Sequence, residues 1–428
     1  MRSAALLTAL LIVFAGSGAP PGGSPPTNTP PPTATDTPSP ESTATPTPSR
    51  AATSTPSATP DSGEVTVTVG ALPFDPDPVF DRVLALTGTD AEAPSVQVRR
   101  ASGADAPPQA SAFRLALGVE QPAEQQPPDG FTAPRNATAF VYEHVTDEPT
   151  AAESVLAHEF VHVVQLRNRW LLATGADLPR VDGHPTADAM RAGTMLIEGV
   201  ATHYQGRYDR QFLSAKQPAP ADQMATYRNA SAHERLTLAP YALGPQYVSS
   251  RLEGGEDLSA IHENRPVSTE QVLHDTDDPI APLNVSTADS GDWVVEGRDT
   301  QGELFLRVAL RTELNRSAAV DAAHGWGNDR QVTYERGNAT GTAWVLRWDD
   351  ADNATEFETA FERYLEAKAT PDDGVWRQDD GNATYRFQRL TNRTTVVYLG
   401  NESFVRAANA TAETESRVAV KPRNETPA

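Results

Sequence analysis

The stretch Val155-Leu156-Ala157-His158-Glu159-Phe160-Val161-His162-Val163-Val164-Gln165 decides how this chain is read. Its apolar residues predict a buried helix. Histidines four apart on a helix lie one above the other, so both imidazoles can grip a single metal ion. The glutamate beside the first histidine would stand near a metal-bound water. Zinc takes such nitrogen ligands and, in catalytic sites, leaves one position open for water. Two histidines and a glutamate inside a buried helix are costly unless something binds them. The competing reading is a histidine pair satisfied within the core.

Working outward, a third ligand is expected from Met195-Leu196-Ile197-Glu198-Gly199-Val200-Ala201-Thr202-His203-Tyr204. Glu198 sits in an apolar helical run, where a bare carboxylate is expensive, and Gly199 would let the two helices approach. The alternatives are a Glu198 ion pair with Arg191 or Arg207, and His203 as the ligand. His203 lies five residues from Glu198 and so points to another side.

Around these helices the pattern is α+β. Strands are expected at 64–70, 96–99, 112–119 and 137–145, with a short helix at 78–86 and Pro-rich loops at 106–108 and 121–128. Thr150 with Glu153 reads as a capping box for a helix over 151–171. Further helices are expected at 186–208, 246–252, 258–262 and from Ser268. Beyond 291 the pattern predicts helices at 300–314, 317–324 and 353–367, and strands at 331–334, 342–348, 383–390 and 394–399. The expected organisation is a signal peptide (1–18), a Pro/Thr/Ser-rich disordered stalk (19–62), a head (63–290), a small C-terminal α+β domain (291–410) and a polar tail (411–428).

The chain has 428 residues, 38 % of them hydrophobic, and no cysteine, which excludes disulfides and thiolate chemistry. Net charge is −22 and the pI near 4.8, which argues against nucleic-acid partners. The lysines are Lys216, Lys368 and Lys421 alone. Carboxylate-rich, lysine-poor chains suit concentrated salt, where screening removes the repulsion between charges. Arg2 followed by the apolar run 4–14 reads as an export signal, since spanning a bilayer needs about 20 residues. No transmembrane helix is expected in the mature chain, and the stalk would attach the head to the cell surface. Eleven of the fifteen asparagines lie in Asn-x-Ser/Thr sequons: Asn136, Asn229, Asn284, Asn315, Asn338, Asn353, Asn382, Asn392, Asn401, Asn409 and Asn424. Ser and Thr frequency alone would give about two or three. An exported, N-glycosylated, extracellular or cell-surface protein is therefore expected.

The histidine segment and the Glu-Gly-x-Ala segment at 198–201 together resemble the gluzincin metallopeptidases. The resemblance covers about 137–275 and takes in the strand around Phe140-Val141-Tyr142-Glu143, Gln165 after the second histidine, Pro240-Tyr241-x-x-Gly244-x-x-Tyr247-Val248 and the segment 266–274. With the acidic, stalked design, the chain looks like a halophilic archaeal surface protein. The resemblance implies a zincin-like head in which His158, His162 and Glu198 hold Zn²⁺ and Glu159 takes a proton from the attacking water. It implies a peptide or protein substrate and an oxyanion-stabilising group, for which Tyr247 is the candidate beside His203, Tyr204 and Tyr241. No Asn-Glu-x-x-Ser-Asp form of the third-ligand motif is present. The alternative is a non-catalytic glycosylated surface or binding protein with a structural or degenerate site. The fourth coordination position separates the two.

Overall fold

The chain passes through β1 (Thr66–Val69), crosses by α1 (Asp77–Thr87) to β2 (Ser95–Arg99), and continues through α2 (Ala112–Ala116), β3 (Gly130–Ala133) and β4 (Thr138–Tyr142). The computed structural model describes residues 63–100, 110–120, 128–171, 178–213, 220–289, 292–379, 381 and 383–422. The signal and stalk expected before residue 63, the Pro-rich stretches at 106–108 and 121–127, Asn382, Asn424 and the last six residues lie outside these. The first sheet has the order β1-β2-β4-β3, with β1, β2 and β4 parallel and β3 antiparallel to β4 at one edge.

The short α3 (Glu143–Thr146) leads into α4 (Pro149–Arg167), which packs on β3, β4 and α1. Val155, Leu156, Ala157, Phe160, Val161, Val163 and Val164 are all buried. A helix apolar on every side belongs inside a core. Phe160 meets Phe80 of α1 edge to face, with centroids 5.1 Å apart. A ribbon of β5 (Arg180–Val181) and β6 (His184–Pro185) precedes α5 (Ala187–Phe212), which lies alongside α4. The helices α6 (Pro220–Asn229), α7 (Ala232–Ala242), α8 (Gly244–Glu253), α9 (Leu258–Glu263) and α10 (Thr269–His274) follow.

Gly199 does permit a close helix approach, but the partner is α8 rather than α4. A Cβ at Gly199 would stand 2.5 Å from the backbone carbon of Gly244, and one at Gly244 would stand 2.2 Å from Met195 O. Gly199→Ala should therefore force α5 and α8 apart and destabilise the fold by about 1–3 kcal/mol. Urea midpoints of the two proteins check this; equal midpoints would mean that the helices slide apart at no cost.

After β7 (Asn284–Thr287) and β8 (Val294–Asp299) come α11 (Gly302–Leu310), α12 (Arg316–Ala323), β9 (Trp326–Arg336), β10 (Ala339–Trp348), α13 (Ala351–Lys368), β11 (Thr370–Asp372), β12 (Val375–Arg377), β13 (Thr384–Thr391), β14 (Thr394–Gly400), α14 (Glu402–Ala407), β15 (Ala408–Thr414) and β16 (Arg417–Pro422). Seven of these strands form an antiparallel sheet in the order β11-β12-β13-β14-β10-β9-β8, while β15, β16 and β7 make a separate sheet. Side chains alternate across the large sheet with period two. Trp344, Leu346, Val397 and Leu399 join the main core, whereas Ala343, Val345, Val396 and Tyr398 join a second core with Phe404, Val418 and Val420. The main core also contains Leu156, Phe160 and Leu196, so it runs through both halves of the chain.

The segment 112–119, expected as a strand, is instead α2 and a turn. Ser111 Oγ caps it by accepting from Arg114 N–H, and Gly118 takes φ 73°. Phe113 stacks on Phe305 at 5.5 Å and meets Trp344 edge-on at 5.4 Å. Tyr385 Oη–H donates to Ala116 O (2.6 Å), so the sheet side chains hold α2 by its backbone. The Thr150–Glu153 capping box does not form. Glu153 instead accepts from Tyr208 Oη–H (2.6 Å) and pairs with Arg82 (3.1 Å). The tail expected from residue 411 carries the end of β15 and all of β16, whose register with β7 (Val418↔Val285) ties it back to residue 285.

At the N-terminus of α5, Asp188 Oδ1 accepts from Thr269 N–H (3.0 Å) and Thr269 Oγ–H (2.6 Å), and Gly302 packs against the carboxylate with no room for a Cβ. Burial pushes the Asp188 carboxyl up to about 7 against these hydrogen bonds; Asp329 adds to the rise and Arg191 opposes it. The folded value lies above the ordinary one near 4, so this stabilisation is complete below about pH 4 and is lost as pH rises through about 7. Wild-type stability should fall over that window by up to about 1.4 kcal/mol per pH unit from this group, and Asp188→Asn should fall less steeply. Urea midpoints at pH 5 and 8 check this; parallel profiles would remove Asp188 as the source.

Candidate metal centre

Helix α4 turns His158 and His162 toward α5, and α5 turns Glu198 back toward them. His158 Nε2 and His162 Nε2 stand 3.1 Å apart, and Glu198 Oε2 lies 3.4 Å from the first and 3.5 Å from the second. All three side chains are at most 1 % exposed. The buried His158/His162/Glu198 triad can hold a metal ion, with all its donor atoms within 4.8 Å of one another. Bonds of about 2.0–2.2 Å in a tetrahedral zinc site place ligand atoms roughly 3.3–3.6 Å apart; both Glu198–imidazole distances fall in that range, and the two imidazole nitrogens stand slightly closer. Both oxygens of Glu198 lack a hydrogen-bond partner, which a cation would supply. Neither arginine alternative is realised: Arg191 donates to Gln301 O (2.7 Å), and Arg207 lies over the Tyr204 ring at 5.3 Å.

Neighbouring groups fix which way each imidazole faces. Gln165 Nε2 donates to Ile197 O (3.1 Å), and a carbonyl can only accept. Gln165 Oε1 therefore faces His162, and His162 Nδ1–H donates to it at 2.7 Å. On the other side Ser154 Oγ–H donates to Asp209 Oδ2 (3.0 Å), Gln205 Nε2–H donates to Ser154 Oγ (3.0 Å), and His158 Nδ1–H donates to Gln205 Oε1 (3.0 Å). With both Nδ1 atoms protonated, both Nε2 atoms direct their remaining valence at one point beside Glu198. Only a cation, a proton or a metal ion, satisfies that convergence. Burial works against a charged His162, but the Glu198 carboxylate overcomes it and raises the imidazole to about 9. Burial likewise pushes Glu198 up, and His162 and His158 more than offset it, leaving the carboxyl at about 2.

Glu159 adjoins the triad without belonging to it. Its Oε2 accepts from Thr132 Oγ–H (2.6 Å) on β3, and its Oε1 is buried with no partner. Burial raises its carboxyl, while His162 and His158 pull it down. Gly130 closes over it, since a Cβ there would sit 2.8 Å from Glu159 Oε1.

Of the oxyanion candidates, Tyr241 comes near, with its ring 6.4 Å from His158. Tyr247 lies under the Arg251 guanidinium at 5.0 Å; burial raises its hydroxyl to about 12, and the charges that bear on it are Arg251, Asp277, Asp275 and Glu256. His203 and Tyr204 pack on each other at 5.2 Å, and burial together with Arg207 and Arg210 holds His203 down to about 4. Sequence reading missed Gln205, Ser154, Asp209, Thr132 and His262. The signal for the first three was spacing: Gln205 and Asp209 lie seven and eleven residues after Glu198, and Ser154 lies four before His158.

Among the sequons, Asn136, Asn229, Asn284, Asn315, Asn338, Asn392 and Asn401 are exposed, while Asn353 and Asn409 are half-buried. Asn315 and Asn401 cap α12 and α14 through their Oδ1 atoms. Among the described residues no helix is long and apolar enough to cross a membrane.

A family described as a domain of unknown function, DUF8575, matches residues 293–413, a stretch that contains no member of the triad. Neither the curated proteins nor the solved structures yield a match.

Proposed function

We propose that the chain is a zinc metallopeptidase with a gluzincin-like head, exported or held at the cell surface, that hydrolyses peptide bonds. The observation that carries this reading is the convergence of three donor atoms of fixed polarity, with a carboxylate that is not a ligand beside them. Three protein ligands leave a fourth position for water. Zinc bound there would bring the pKa of a coordinated water toward about 7 and polarise a carbonyl. Glu159 would accept the water proton through Oε1 and pass it to the leaving amine, with Thr132 holding the other oxygen. Tyr241 would stabilise the oxyanion. β3 pairs only with β4 among the described strands, so an extended peptide substrate would add along its other edge. The mostly exposed sequons support export.

One observation favours a second reading, a metal that only ties α4 to α5: the triad and Glu159 are all buried. Metal analysis of the purified chain and a casein or peptide-library digest in high salt test both. Stoichiometric zinc with chelator-sensitive cleavage supports the peptidase. Zinc without cleavage leaves the structural reading, and no zinc removes both.

A further inference from the structure

The polar chain behind His162 does not end at Gln165. The second N–H of the Gln165 amide points at His262 Nε2, 3.3 Å away, on α9 and 97 positions along the chain. His262 Nδ1–H donates to Leu258 O at 2.6 Å, so Nε2 is its accepting nitrogen. The ring is 2 % exposed and stacks on Trp170 just beyond α4, with centroids 4.5 Å apart and planes within 17°. Burial lowers the His262 pKa to about 4, which keeps the ring neutral and the acceptor in place. Each link thus has one direction: Leu258 O receives from His262, His262 from Gln165, and Gln165 from His162.

We propose that His262 is a positioning residue for the metal ligand His162, acting through Gln165. Gln165 must present oxygen to His162 Nδ1. Reversing its amide would set N–H against N–H there and favour the tautomer with hydrogen on Nε2, which cannot bind a metal. Ile197 O and His262 Nε2 engage the two amide hydrogens, and together they hold the oxygen where it is needed. His262 also links α9 to this amide, so the orientation of a ligand on α4 depends on a helix that carries no ligand. Partners outside the ligand shell typically change metal affinity 10–100-fold. His262 lies one step further out, so about a tenfold loss is expected.

The inference rests on the metal reading, and the test separates the two. Full-length wild type, His262→Phe and His262→Gln are titrated with Co²⁺, whose visible absorption reports ligand geometry, and then with Zn²⁺ in competition with a chelator. Phe keeps the ring on Trp170 and loses the acceptor; Gln loses the ring and can offer an oxygen to Gln165. The expected order of affinity is wild type, then Gln, then Phe about tenfold below wild type, with an altered cobalt spectrum for Phe. A Phe variant that matches wild type while Gln is weakened would show that the ring only packs, and would overturn the proposal. Should His262→Phe fail to fold, ring-nitrogen NMR shifts of the wild type decide: hydrogen on His262 Nε2 refutes the chain, and hydrogen on Nδ1 of both His262 and His162 supports it. A wild type that takes up no cobalt or zinc sinks the metal reading and this inference with it.

Discussion

Replacing Glu159 with glutamine should leave the zinc content at wild-type level and lower peptide hydrolysis by about 10²–10⁴-fold. Glutamine has the same shape, and its oxygen can still accept from Thr132 Oγ–H, so β3 stays seated on α4. What disappears is the carboxylate that the proposed mechanism uses to accept the water proton. Its neighbours His158, His162 and Glu198 keep their mutual distances of 3.1–3.5 Å, because Gln165 and Gln205 hold both imidazoles from behind. Zinc content by mass spectrometry and turnover of a peptide substrate measure the two effects separately. Loss of zinc would make Glu159 a ligand, and unchanged turnover would take it out of the chemistry.

The residues at the centre were legible because they break a pattern. Imidazoles and carboxylates inside the apolar runs 155–164 and 195–201 are costly to bury unless they are partnered, so they stand out from the sequence around them. What surrounds them was less legible. Gln205, Ser154 and Asp209 are ordinary polar residues in sequence, and only the packing of α5 on α4 turns their spacing into a chain of hydrogen bonds. His262 depends on α9 arriving from far along the chain, which no local pattern encodes. The same holds for the fold. Ala112–Ala116 is a short apolar run that local propensity cannot assign, and its helical state is settled by the Ser111 cap and by the Trp344 face that Phe113 meets. β9 begins at Trp326, well before the expected 331, and includes a buried Asp329 whose carboxylate accepts from the Gln301 and Gly302 N–H groups at the start of α11 and from the indoles of Trp326 and Trp344. A polar residue with four such partners reads as a loop in sequence and behaves as core in the fold.

Removing the metal should lower the melting temperature by on the order of 10 °C, and Glu198→Gln should abolish most of that difference. A ligand that binds only the folded state contributes about 4 kcal/mol when present at a thousandfold over its dissociation constant. The triad supplies that preference for the folded state, since its donors come from two helices and meet only when α4 packs on α5. Both Glu198 oxygens are buried with no hydrogen-bond partner, and the two ring nitrogens stand 3.4 and 3.5 Å from Oε2, an arrangement that a bound cation would complete. Glutamine at 198 fills the same space and removes the charge that completes the ligand set. Melting curves of wild type and variant, each with zinc and with chelator, give four temperatures. If the wild-type pair coincide, no metal links the helices. If the variant pair differ as much as the wild type, the third ligand is another residue, and the path by which α5 meets α4 at Glu198 has to be explained by packing around Ile197 and Ala201 alone.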